Sequence, residues 1–317
     1  MNPIELKDVV RRPRNVVSVG TFDGVHLGHR ELIRKIVELA RNEDAMSTIV
    51  TFDPHPREIL NPGDSRIKRL TTMEERAAEL AALGIDQLVL IPFDRDFSLM
   101  DSATFIREVV WRQIGVSHFV IGYDHQFGKD RKGTVHTVRS AGRELGFLTT
   151  VFPRQDKGDE AVSSTRIRTL LQNGDVQGAN DLLGRAYRLS GSVVRGDGRG
   201  RTIGFPTANL RITDSRKLIP AHGVYAVRVL IGDQSHPGVV NLGTRPTFDH
   251  SLPTVEAHLL NYQGNLYGCE LQLHFVKRLR DERRFESVDA LKEQIARDCE
   301  QAVRALEEKV ANSVRAD

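Results

Sequence analysis

Cysteine is nearly absent: Cys269 and Cys299 are the only two in 317 residues. They form no metal-spaced pair, which argues against a cysteine-ligated zinc site, and two cysteines are too few for a disulfide framework. Free thiols in a reducing, cytoplasmic setting are expected. No apolar run approaches the roughly 20 residues that cross a bilayer, and Met1–Val10 has no apolar signal core, so no membrane partner is expected. Aromatic residues make up 6% of the chain and do not cluster, which argues against a base-stacking nucleic-acid surface. The net charge of +3 and the pI near 8.9 suit phosphate-rich ligands but are too small to demand nucleic acid. A Gly-Lys-Ser/Thr helix start is missing, which excludes a P-loop. No repeat or low-complexity segment is present.

What is present is a change of pattern along the chain. The apolar runs Val16–Val19, Thr48–Phe52, Gln87–Ile91, Phe119–Ile121 and Leu148–Phe152 read as buried strands. Helical periodicity occupies Arg30–Arg41, Thr72–Leu83, Ser102–Gln113 and Val135–Leu145. Strands alternating with such helices predict a doubly wound parallel sheet. From Arg188 onward the segments shorten and alternate: Leu189–Val194, Val224–Leu230, Gly238–Asn241, Val255–Leu260 and Glu270–Val276. They predict an antiparallel β-barrel or sandwich, closed by a terminal helix over Val288–Val310. The predicted architecture is therefore α/β plus β, with domains at residues 1–184 and 185–317 and a boundary near Gly184. The basic run Lys277, Arg278, Arg280, Arg283, Arg284 reads as a solvated strand end or loop.

The first strand runs directly into Gly20-Thr-Phe-Asp-Gly-Val-His-Leu-Gly-His29, and an amphipathic helix follows. His26 and His29 then stand at or just before a helix N-terminus, where amide N–H groups and the helix dipole favour anions. Imidazole donors add to such a site. Strand, glycine turn, paired histidines and helix point to a triphosphate site. The competing readings are a helix cap and a zinc pair, the latter without a third close ligand. The pattern resembles the His-x-Gly-His signature of the nucleotidylyltransferase superfamily.

Three further segments fall at strand ends, where open α/β sheets bind ligands. In Thr51–Pro56, Asp53 or His55 is placed to face the same crevice as His26. In Gly122–Gly128, Asp124 is a candidate for ribose or phosphate, or an Asx cap, and Lys129, Arg131 and Lys132 suggest a mobile basic loop. In Ser163–Arg168, a serine N-cap is the simple reading, and Ser164, Thr165 and Arg166 form a second candidate anion cradle. In the second half, Gly196, Gly198, Gly200 and Gly204 are interleaved with Arg199 and Arg201. Pro206-Thr-Ala-Asn209 follows, with Thr207 and Asn209 projecting to one side of an extended chain as hard oxygen ligands suited to Mg²⁺ with phosphate. Glu256 shares a strand face with His258. A carboxylate in a barrel mouth is costly unless used, and Glu256 is a candidate base for a hydroxyl nucleophile.

These motifs, in this order, resemble the bacterial bifunctional riboflavin kinase/FAD synthetase family. The likeness runs through Gly20–His29, Thr51–Pro56, Gly122–Gly133, Ser163–Arg168, Gly191–Asn209, Gly223–Tyr225, Asn241–Phe248, Glu256–His258, Leu266–Gly268 and Arg280–Phe285. It implies transfer of the ATP γ-phosphoryl to riboflavin in the second domain, giving FMN. It implies adenylylation of FMN to FAD by ATP in the first, with pyrophosphate released. The substrates implied are riboflavin, FMN and ATP, with Mg²⁺ required. No tightly bound redox cofactor, nucleic acid or membrane is implied. The catalytic residues implied are Glu256, His26 and His29. Those implied for ATP are Gly20, Phe22, Asp23, Gly28, Asp124, Ser164, Thr165, Arg166, Gly198, Arg199, Arg201 and Gly204. Arg280, Glu282 and Phe285 are implied near the flavin, and Thr207 and Asn209 at the metal. The chain departs from the family pattern at His125, Gln126 and Asn261. Two alternatives stand beside this reading: an adenylylating enzyme of the aminoacyl-tRNA-synthetase type, and a nucleic-acid-binding barrel.

Overall fold

A computed structural model describes residues 1–61, 63, 68–153, 156–157, 160–196, 198–245 and 252–314. The chain divides into two compact units, Met1–Ser164 and Thr165–Asp317.

The first unit holds the strands β1 (Ile4–Glu5), β2 (Asn15–Val19), β3 (Met46–Asp53), β4 (Gln87–Pro92), β5 (Val116–Gly122) and β6 (Leu148–Phe152). They form one sheet in the order β1-β4-β3-β2-β5-β6, and every pairing is parallel. Its helices are α1 (Leu27–Asn42), α2 (Pro56–Leu60), α3 (Met73–Ala82), α4 (Arg95–Ser98), α5 (Ser102–Thr104), which continues as a π-helix over Phe105–Ile114, and α6 (Val135–Leu145). Successive side chains of a strand point to opposite faces, and the core divides accordingly. Val16, Ile49, Leu88 and Val120 pack with Ile33 and Ile36 of α1 and Ala77 and Leu80 of α3. Val17, Val50, Val89 and Phe119 pack with Phe105, Ile106 and Val110 of the π-helix and Val138 of α6. Burial on both faces explains why these strands read as unbroken apolar runs. The strand order reverses between β2 and β5, which is where sheets wound this way bind ligands. A hairpin, β7 (Asp156–Lys157) with β8 (Glu160–Ala161), completes the unit.

The second unit opens with α7 (Ser164–Gln172), whose first residue still counts with the first unit, and α8 (Val176–Leu183). Its strands are β9 (Tyr187–Val194), β10 (Ala208–Ile212), β11 (Gly223–Ile231), β12 (Gln234–Arg245), β13 (Leu252–Leu259) and β14 (Glu270–Arg280). They close into an antiparallel barrel in the order β10-β13-β12-β11-β14-β9, which settles the choice between barrel and sandwich. The one-turn helix α9 (Arg199–Thr202) joins β9 to β10, and α10 (Val288–Val314) ends the described chain. Ala302 and Ala305 of α10 pack on Val224, Ala226 and Val239 of the barrel.

The division of contacts at Ser164 precedes the boundary expected near Gly184, for a physical reason. Helices α7 and α8 extend the α/β sequence pattern but pack with the barrel. Asn180 of α8 donates to the Phe275 carbonyl at 2.9 Å and accepts from the Tyr187 N–H at 2.6 Å. Leu171 of α7 accepts from the Ala221 N–H at 2.9 Å. The basic run is solvated in part, since Lys277, Arg283 and Arg284 are exposed and the last two lie in the loop after β14, but several of its members are also engaged. Arg280 grips the buried Asp298 of α10, Arg283 donates to Gln294, and Arg278 pairs with Asp281 at 2.7 Å.

Candidate active sites

Gly20 continues β2 by donating to the Val50 carbonyl at 3.0 Å, and the chain then turns sharply. Phe22 and Val25 both take left-handed φ values, 45° and 42°, with Gly24 at 88° between them. Two non-glycine residues in that region are strained and need surrounding structure to hold them. Asp23 supplies much of it. Fully buried, its carboxylate accepts from the Leu70 and Thr71 N–H groups at 3.0 Å and from the Thr71 hydroxyl at 3.1 Å. It also lies 3.6 Å from the buried guanidinium of Arg76 on α3, which donates to Thr51 at 3.2 Å. The Thr71 hydroxyl takes the Gly24 N–H at 3.1 Å, and the Ser164 hydroxyl donates to the Asp23 carbonyl at 2.8 Å. Asp23, expected among the ATP ligands, thus spends its carboxylate shaping the loop. Thr71 and Arg76, which motif reading did not single out, share that work. Their contribution depends on contacts between segments far apart in sequence.

The loop delivers His26 as the N-cap of α1, its Nδ1 accepting from the His29 N–H at 3.3 Å. A neutral His26 therefore carries its proton on Nε2. The two rings are stacked, with centroids 3.7 Å apart, and Phe22 lies against His29 at 5.1 Å. Gly28 sits in the first turn of α1. Burial holds the His29 imidazole well below its ordinary value of 6.5, and His26, Arg76 and His125 push it further down. Near neutral pH the ring is an uncharged donor and acceptor at a helix N-terminus, and its Nδ1 is buried without a partner.

Across the reversal of strand order, β5 ends in the loop Gly122–Gly133. Phe127 and Gly133 exchange backbone hydrogen bonds of 3.1 and 2.9 Å, and Lys129 donates to Met100 at 3.0 Å. These bonds close a segment that its charges had suggested was a loose basic loop. Asp124 is exposed beside the half-buried His125. Asp53 pairs with the buried Arg69 at 2.8 Å, and His55 caps α2 by accepting from the Arg57 N–H. Thr165 and Arg166, expected to share the phosphate cradle, belong to the second unit.

In the barrel, Val255, Ala257 and Leu259 are buried and define the inner face of β13. Glu256 and His258 therefore project outward, not into the barrel mouth where the carboxylate was expected. Alternation decides this, because the apolar set takes the interior. Glu256 pairs in register with Asn209 of β10 on one side and Asn241 of β12 on the other. Asn241 donates to Glu282 at 3.3 Å, and a Cβ at Gly243 would overlap the Glu282 carboxylate. Asn209, Glu256, Asn241 and Glu282 are thus gathered on the outer wall.

The glycine loop closes onto the same wall. The Phe205 N–H donates to the Gly200 carbonyl at 2.9 Å, and Gly198 and Gly204 take left-handed φ values of 69° and 89°. A Cβ at Gly196 would overlap the Asn209 amide, and one at Gly200 would come within 3.2 Å of the Thr207 hydroxyl. Glycine is required for this close approach. Beside it, a cavity of about 340 Å³ is lined by Arg201, Thr207, Ala208, Leu259, Tyr262 and Tyr267, among others. Arg280 and Phe285, expected at the flavin, pack against each other with 5.7 Å between guanidinium and ring. Arg280 is held there by Asp298. The side chain of Arg199 and residues Pro246, Thr247 and Phe248 lie outside the described residues. Asn261 occupies a left-handed turn at φ 57°, a conformation asparagine tolerates well.

The family model for FAD synthetase matches residues 10–166 and that for riboflavin kinase matches residues 183–306. The Escherichia coli K12 protein named bifunctional riboflavin kinase/FMN adenylyltransferase is 39% identical over 89% of this chain and 90% of its own. The Bacillus subtilis protein of that name is 36% identical over 92% of each. A solved Streptococcus pneumoniae structure, named a macrolide-efflux protein, superposes with a TM-score of 0.87 at 32% identity, covering 94% of this chain and 97% of that one. That name describes the Streptococcus protein; among the described residues here, no helix is long and apolar enough to cross a membrane. With a family domain in each half and relatives alike over nearly the full length, the chain belongs to the bifunctional riboflavin kinase/FMN adenylyltransferase family.

Proposed function

We propose that the barrel phosphorylates riboflavin to FMN and that the parallel-sheet unit adenylylates FMN to FAD, with ATP as co-substrate in both. The observation that carries this reading is the presence of two separate phosphate-suited constellations. One is the stacked His26–His29 pair at the N-terminus of α1. The other is the glycine loop closed on Thr207 and Asn209 beside Glu256.

In the barrel, Glu256 takes the proton of the riboflavin hydroxyl as that oxygen attacks the γ-phosphorus of ATP, and the bond to the β-bridging oxygen breaks. Asn209 and Asn241 are the register neighbours of Glu256 on the adjacent strands. Thr207 and Asn209 offer a hydroxyl and an amide oxygen beside a cradle that any Cβ would fill, a donor set that fits Mg²⁺ shared with phosphate. Thr207 and Asn209 are the residues that would hold such an ion; among the described residues no group of three or more acidic, His or Cys side chains is placed to hold a metal. When bound, the ion neutralises charge on the transferring phosphoryl group. The Gly198–Gly204 loop with Arg201 covers the nucleotide, and Glu282 borders the acceptor side.

In the first unit, a phosphate oxygen of FMN attacks the α-phosphorus of ATP and pyrophosphate leaves. His26 donates from Nε2 and His29 from its ring to the oxygens on which charge develops. Ser164 and Asp23 hold the loop that presents them. No covalent enzyme intermediate is needed. The free Cys269 and Cys299 support a cytoplasmic setting. Incubation with riboflavin, ATP and Mg²⁺, followed by chromatography of flavins, tests the reading. FMN is expected first and FAD second, and omission of the divalent cation is expected to stop both. A folded protein that forms neither flavin contradicts the proposal.

A further inference from the structure

We infer that His125 is a third imidazole of the adenylyl-transfer site and contacts the phosphates of ATP through Nε2; this rests on the reading of the first unit proposed above. Placement is the first argument. His26 and His29 follow β2 and His125 follows β5, the two neighbouring strands between which the order of the sheet reverses. A ligand in that crevice lies between their two loops.

Rigidity is the second. The loop is closed by the Phe127–Gly133 backbone pair, and the His125 N–H donates to the Gly122 carbonyl at 3.1 Å. A Cβ at Gly128 would come within 2.8 Å of the Ser102 backbone, so the loop lies directly on that segment. The imidazole stacks on Phe127, with centroids 6.0 Å apart and planes 23° from parallel. The ring is therefore oriented before any ligand arrives.

The third argument is an unmet hydrogen-bonding need. Nε2 of His125 and Nδ1 of His29 are both buried and lack a partner. Burying a polar atom without a partner is costly, and such atoms are rare in folded proteins. The two rings stand on the loops that follow neighbouring strands β2 and β5, and His125 is among the groups that act on His29. A triphosphate, rich in acceptors, satisfies both. The groups facing this neighbourhood are His26 and His29 from α1, Arg76 from α3, and Asp124 and Arg131 from the loop itself. A metal is the weaker occupant, because no three-ligand cluster exists among the described residues.

The test uses the full chain. His125→Phe keeps a ring on Phe127 and removes the nitrogen; His125→Gln restores an amide donor. Steady-state adenylylation of supplied FMN gives KM for ATP and kcat, with riboflavin phosphorylation in the same preparation as the folding control. A hydrogen bond to a charged group corresponds to about 10- to 100-fold in affinity. His125→Phe is therefore expected to raise KM for ATP by about that factor, His125→Gln to recover much of it, and phosphorylation to stay at the wild-type rate. Wild-type KM and kcat in His125→Phe overturn the inference and leave the proposed function standing. So does a fall in kcat alone that is equal in both variants, since that marks a packing role. A wild-type protein that makes no FAD overturns the reading of the first unit and this inference with it.

Discussion

Asn209 stands directly opposite Glu256 in the register of β10 and β13. Asn241 occupies the matching place on the other side, in β12. The register thus sets the carboxylate between two amide-bearing residues on three adjacent strands, and a base that must meet a hydroxyl depends on such placement. Glu256→Gln keeps the shape and removes the base. Riboflavin phosphorylation is expected to fall by roughly 10²–10⁴, with adenylylation of supplied FMN close to wild type in the same chromatographic assay.

His29→Ala removes a donor from the other constellation. Loss of one such donor costs on the order of 10²–10³ in rate. FAD formation from FMN should drop by that factor while FMN still accumulates from riboflavin. Circular dichroism checks that the variant is folded.

The Asp23–Arg76 pair supports the strained turn that carries both histidines. Removing one partner of a buried ion pair costs about 3–5 kcal/mol. Asp23→Ala is expected to lose stability on that scale in urea denaturation and to lose FAD formation before FMN formation. A variant as stable as wild type would show that the turn holds itself.

The buried imidazoles make stability depend on pH with a definite sign. His29 is held well below 6.5 by burial, then by His26, Arg76 and His125. His125 is lowered by burial and by Arg131, against the opposing charge of Asp124. Below pH 6.5 the unfolded chain therefore binds protons that the folded chain refuses. Stability should fall as pH drops from about 7.5 toward about 5.5, and the loss should level off below the folded-state values. His29→Gln should flatten this slope, read as the urea midpoint against pH.

The division at Ser164 makes a prediction about fragments. A fragment beginning at Thr165 retains α8 and the Asn180 bonds to Phe275 and Tyr187; one beginning at Arg185 does not. The longer fragment is expected to phosphorylate riboflavin without forming FAD, and to melt at a higher temperature than the shorter one. Equal melting temperatures would place α7 and α8 outside the stable barrel unit.

Much of this was legible in the sequence. Strands buried on both faces announced themselves as apolar runs; β6 matches its expected bounds, Leu148–Phe152, but is an edge strand with Leu148 exposed and not the buried strand its apolar run suggested. The two-residue β1 and the mixed-polarity β10 carry too little pattern to be read. The face of Glu256 was open to reading, since Val255, Ala257 and Leu259 alternate with it and claim the interior. The role of Asp23 was not, because its partners Leu70, Thr71 and Arg76 reach it only in the folded chain. The same limit hid the commitment of Arg280 to Asp298.

The most direct measurement of two separable sites is complementation. Supplied with riboflavin, ATP and Mg²⁺, Glu256→Gln alone should form little of either product, and His29→Ala alone should stop at FMN. Mixed together, the two variants should form FAD, because FMN released by one is adenylylated by the other. Absence of FAD from the mixture, with both variants folded, would contradict the two-site account.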